Sequence, residues 1–73
     1  MNSITVYIDE SLTTREIVKL KHEILAIPHV TDVEHPRHDA HNLTIDYEAH
    51  MSIPRVVMEK LRSRGLHPNI TSA

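Results

Sequence analysis

Apolar residues along this 73-residue chain recur first at every second position, then at helical spacing, and the two patterns go on alternating to the end. A period of two belongs to a strand with one buried face, and a period near 3.6 belongs to an amphipathic helix. The order of periods therefore sets the order of elements. Residues 4 to 8, Ile-Thr-Val-Tyr-Ile, read as a half-buried strand. Thr13 then opens a helix, and Glu16 three residues later completes a Thr-x-x-Glu capping box. Ile17, Leu20, Ile24 and Ile27 form its apolar stripe, Val18 and Leu25 widen that stripe, and Pro28 ends it.

Residues 30 to 35 and 43 to 48 are two further strands, joined by a polar turn. Ser52 is the expected N-cap of a second helix, with Pro54 in its first turn. Val57 and Leu61 continue the apolar face of this helix, and Gly65 supplies its C-terminal cap. Residues 67 to 71 read as a short last strand.

This βαββαβ order predicts an α+β, ferredoxin-like sandwich: a four-stranded antiparallel sheet in the order 4-1-3-2, with both helices on one face. Pro36 and Pro68 then fall in or beside the two edge strands, where a missing ladder donor is tolerated. A chain of this length holds one core, so residues 1–73 are expected to form a single domain, with 71–73 fraying.

The chain contains no cysteine, phenylalanine or tryptophan. Disulfides, iron–sulfur clusters and thiolate zinc sites are thereby excluded. Its start lacks a basic segment followed by an apolar run, and no stretch approaches the roughly 20 apolar residues that span a bilayer. A cytoplasmic protein without membrane insertion is the expectation. The formal charge of −2 offers no general attraction to nucleic acid, although protonating all seven histidines would move it to +5. With Gly65 the only glycine, there is no phosphate-binding loop, and no nucleophile sits in a strained elbow; an enzyme is not expected.

Several segments carry a resemblance. Ile4 to Ile8 match a first strand, and Ile27-Pro28-His29-Val30 match a "Leu-x-Gly-Val" helix end, with Val33 following. Leu43-Thr44-Ile45-Asp46-Tyr47-Glu48 match "Val-x-Val-x-Tyr/Phe-Asp", and Leu61 to Leu66 match "Ile-x-x-x-Gly-Tyr". Over nearly its whole length the chain resembles the heavy-metal-associated domain family, which includes copper chaperones and the N-terminal domains of metal-transporting P-type ATPases. The family's Met-x-Cys-x-x-Cys segment, however, reads Ser11-Leu12-Thr13-Thr14-Arg15-Glu16 here. Both thiolates are absent, so soft-ion capture in the family's manner is not expected. Thr13 and Glu16 could act as oxygen ligands beside Asp9 and Glu10, but the capping box explains their spacing better.

Three of the seven histidines lie in His35-Pro36-Arg37-His38-Asp39-Ala40-His41. If residue 37 pairs with 41, His35 and His41 point to one face of neighbouring strands, in a diagonal relation of roughly 7 Å between Cβ atoms. His38 and Asp39 at the tip would add ligands. His67 reaches the same pole, because the β1–α1 loop, the β2–β3 hairpin and the α2–β4 loop share one end of this fold. Imidazole with carboxylate suits a divalent transition ion: Zn²⁺, Ni²⁺, Co²⁺ or Cu²⁺. No organic cofactor is implied. His29 and His50 fall at the opposite pole, and His22 on the exposed side of the first helix.

The outer sheet face should carry Thr5, Tyr7, Asp32, Glu34, Thr44, Asp46 and Glu48, with Asp32 opposite Asp46. Its acidity disfavours RNA binding, which uses basic residues and stacked aromatics.

Two functions are consistent with these features. The first is a small metal-binding or metal-delivery protein using His35, His38 and His41, with Asp39 and His67 as auxiliaries. The family resemblance suggests a metal-transporting membrane protein as its acceptor. The second is an interaction module that has lost metal handling and docks a protein, or another copy of itself, through its sheet face or edge strands.

Overall fold

The structure, a computed structural model, describes residues 2–36, 41–48 and 52–72. Strand β1 (Asn2–Ile8) leads to helix α1 (Thr14–Leu25), strands β2 (Val30–Glu34) and β3 (Asn42–Tyr47), helix α2 (Ile53–Ser63) and strand β4 (Pro68–Ser72). All neighbouring strands are antiparallel, in the order β2-β3-β1-β4. This is the expected ferredoxin-like α+β sandwich, with β2 and β4 at the edges. Pro36 follows β2 and Pro68 opens β4, so neither proline interrupts the central ladder. The last strand, expected over residues 67 to 71, runs over Pro68–Ser72: Ser72 pairs with Thr5, and the Thr71 hydroxyl donates to the Thr5 carbonyl at 3.3 Å.

Alternation in the strands and the stripes of the two helices meet in one aliphatic core. Ile4, Val6 and Ile8 of β1, Val33 of β2, and Leu43, Ile45 and Tyr47 of β3 pack with Leu20, Ile24, Ile53, Val57, Met58 and Leu61 of the helices. The α1 stripe is narrower than expected. Val18 and Leu25 remain 49% and 41% exposed. Each follows a core residue by one position, about 100° further round the helix, and a single sheet covers only one side of it.

Local chemistry shapes the helix ends. The Thr13 hydroxyl accepts from the Glu16 N–H at 3.2 Å, while Glu16 Oε1 accepts from the Thr13 N–H at 3.0 Å. At the end of α2, Gly65 adopts φ +80°, and the N–H groups of Gly65 and Leu66 donate to Arg62 O and Leu61 O. That is a Schellman closure, which needs the left-handed residue that glycine supplies. Ser52 departs from expectation: it is already helical (φ −87°, ψ −9°) and makes no side-chain cap. Its carbonyl still accepts from Val56 at 2.9 Å.

His29, which stands where the resemblance places a glycine, has φ +75°. A β-carbon in that region costs on the order of 1 kcal/mol. The turn it forms lets the His29 carbonyl accept from the Glu48 N–H at 2.8 Å, joining the start of β2 to the end of β3 at one pole. Among the described residues no helix is long and apolar enough to cross a membrane.

Candidate metal site

The opposite pole is organised around the end of β1. Ile8 donates its N–H to the His41 carbonyl at 2.8 Å, and its own carbonyl lies 2.8 Å from His41 Nδ1. A carbonyl can only accept, so Nδ1 carries the proton in this contact, and whenever the ring is neutral the lone pair is on Nε2. The His41 ring also stacks on Tyr7, with centroids 5.3 Å apart and planes inclined by 24°.

Two residues beyond Ile8, Glu10 grips the α2–β4 loop. Its Oε1 accepts from the His67 backbone N–H at 2.9 Å, and its Oε2 pairs with His67 Nδ1. Asp9 donates its N–H to the His67 carbonyl at 3.3 Å. A carboxylate likewise makes Nδ1 the donor, leaving Nε2 of His67 as the acceptor whenever the ring is neutral. Ile8 and Glu10 thus orient two imidazoles from two separate segments of the chain.

The clasp shifts both partners. His67 is raised above its ordinary value of 6.5, first by the hydrogen bond to Glu10 and then by the charge of Glu10. The hydrogen bond from the His67 side chain, followed by that from its backbone, lowers Glu10 below its ordinary 4.5. The raised imidazole contributes stability in full below pH 6.5 and loses it as pH rises through the folded value. The lowered carboxylate contributes in full above pH 4.5 and loses it as pH falls through its folded value. Both contributions are complete between those limits. Proton NMR of the metal-free chain should therefore give His67 a titration midpoint above 6.5, falling back toward it in Glu10→Gln. A wild-type midpoint at or below 6.5 would show that the clasp does not form in solution.

His35 follows β2 and is half-buried, and its Nε2 is buried with no hydrogen-bond partner among the described residues. It borders a surface groove with Lys21, Asp32, Glu34, Pro36 and Thr44. His38 and Asp39 lie outside the described residues. Among the described residues, no three His, Asp or Glu side chains form a group able to hold a metal.

In place of the two cysteines the structure has a completed capping box. Glu16 is lowered by the Thr13 backbone N–H and then by the Thr13 hydroxyl, so both residues are occupied in starting α1. Sequence reasoning missed the roles of Ile8 and Tyr7 beneath His41 and of Glu10 beneath His67. The pairing of β1 with β3, which ends at Tyr7 opposite Asn42 and leads on to Ile8 and His41, would have pointed to the first of these.

No protein-family model matches the chain, and no curated protein matches it. Solved structures that share its fold include the following two. One, described as "Crosstalk between Cu(I) and Zn(II) homeostasis", superposes with a TM-score of 0.79 at 13% identity, over 96% of this chain and 99% of the other. The second, "CsoZ metallochaperone", gives 0.73 at 19% identity, over 96% of both chains. At such identities the likeness establishes the fold, and function has to be argued from the residues.

Proposed function

We propose that this chain is a small, non-catalytic metal-handling protein that binds a divalent transition ion through imidazole instead of thiolate. The ligands are His35, His38 and His41, with Asp39 and His67 as auxiliaries, and the ion is Zn²⁺, Ni²⁺, Co²⁺ or Cu²⁺. One observation carries this reading. His41 and His67 both commit Nδ1 to an oxygen acceptor at the end of β1, Ile8 O and Glu10. Ligating histidines are commonly held this way, with an outer carbonyl or carboxylate fixing the tautomer and raising the basicity of the other nitrogen. The likeness to a metallochaperone and to a structure concerned with copper and zinc homeostasis supports the same reading. Delivery in the cytoplasm to a metal-transporting membrane protein is the role this implies.

Binding requires neutral imidazoles, so affinity should fall as pH drops through the histidine range, and for His67 from a higher pH than for an isolated ring. The test is proton–nitrogen NMR of chelator-treated protein titrated with Zn²⁺, Ni²⁺ and Co²⁺ against a histidine-rich competitor peptide. Saturable shifts confined to residues 35–41, His67 and their neighbours, surviving the competitor, are expected. Weak shifts spread over all seven histidines would refute a dedicated site.

A further inference from the structure

Among the described residues, lysine and arginine are sorted by layer, and none lies in a strand. Arg15, Lys19 and Lys21 are on α1, Arg55, Lys60 and Arg62 are on α2, and Arg64 caps α2. The outer sheet face carries the opposite sign. Asp32 sits directly across from Asp46, Glu34 follows on β2, and Glu48 extends the patch beyond β3. Like charges facing each other across a ladder destabilise it. Among the described residues none of these four carboxylates is in an ion pair, and the one bond recorded for Asp32 is from its neighbour's N–H, Val33, at 2.9 Å.

The helix layer has unspent charge as well. Glu23 takes Lys60 and Arg64, and Glu59 takes Arg55, but Arg15, Lys19 and Arg62 have no carboxylate partner among the described residues and are exposed. One layer therefore presents what the other lacks. The same sheet face holds the stacked Tyr7–His41 pair, a flat aromatic surface on which a guanidinium or ammonium group can rest.

We propose that the acidic outer sheet face docks the basic helix layer of a second copy of this chain. The sandwich measures 30 × 24 × 20 Å. Four strands about 4.8 Å apart and five to seven residues long give a sheet face of roughly 400 Å² per copy, about half the ~800 Å² per partner of a standard interface and the size of a weak, concentration-dependent contact. The two surfaces are different, so the contact is heterologous and leaves one free sheet face and one free helix layer at the ends of every pair. Assembly therefore grows past the dimer with concentration. A formal charge of only −2 leaves little overall repulsion to oppose it. This inference does not depend on metal binding.

Sedimentation velocity of the full chain, with chelator present throughout, tests it. At about 20 mM salt the weight-average mass should rise with concentration beyond that of a dimer. Raising salt to about 500 mM should weaken association at least about tenfold, since screening acts on exposed charges. The double variant Asp32→Lys/Asp46→Lys and the triple variant Arg15→Glu/Lys19→Glu/Arg62→Glu should each be monomeric and folded. An equimolar mixture of the two should associate again, because each restores the sign that the other has lost. A wild type that stays monomeric at low salt overturns the proposal. So does assembly that survives charge reversal, which would point to edge-strand pairing, or assembly that appears only when Zn²⁺ replaces the chelator, which would point to metal bridging.

Discussion

Replacing His38 and His41 together with alanine is expected to weaken Zn²⁺ binding at least about a hundredfold while leaving the fold in place. Loss of a single outer-shell partner typically costs ten- to a hundredfold in metal affinity, and this variant removes two candidate ligands outright. His41 also bonds Ile8 O and covers Tyr7, so its loss should lower stability modestly. Thermal unfolding read beside competition calorimetry separates the two effects. His22→Ala, on the exposed face of α1, serves as a control and should leave affinity unchanged. If the double variant binds Zn²⁺ as tightly as the wild type, the hairpin is not the site.

Ile45→Ala should come close to unfolding the protein. Ile45 is fully buried in β3, directly opposite Ile4 on one side and Val33 on the other. Truncating such a side chain removes its transfer energy and leaves a cavity that the neighbouring strands cannot close, together about 3–4 kcal/mol. A 73-residue domain has on the order of 4–11 kcal/mol in total. The melting temperature should fall by roughly 15–25 °C. Val18→Ala, on an apolar residue that the sheet does not cover, should change stability by less than about 0.5 kcal/mol. Equal effects at the two positions would mean that the core is not the one described here.

The contrast between Ile45 and Val18 also shows where sequence reasoning stops. Both are β-branched, apolar and part of a periodic stripe. Ile45 was legible as core because a period of two assigns a strand residue to one face or the other with nothing between. Val18 was not, because a helix surface is continuous and the width of its buried sector depends on what packs against it.

The candidate site divides in the same way. Three histidines within seven residues are visible in the linear chain, and so is the register that sets Asp32 against Asp46. The contact between Glu10 and His67 spans 57 residues and exists only because two loops meet at one pole of the sandwich. Nothing local to either residue signals it. Ser52 makes the same point at short range, since its composition suits a cap but its backbone is already helical, away from the extended conformation that capping uses.

By itself, then, the sequence determined the order of elements, the capping box at Thr13 and Glu16, the closure at Gly65 and the inward faces of the strands. These follow from periodicity and from bonds between residues a few positions apart. Tertiary structure alone decided how much of α1 is covered and which oxygen holds the imidazole of each of His41 and His67. Those outcomes depend on which distant segments become neighbours, and only the packed sheet and helices bring them together.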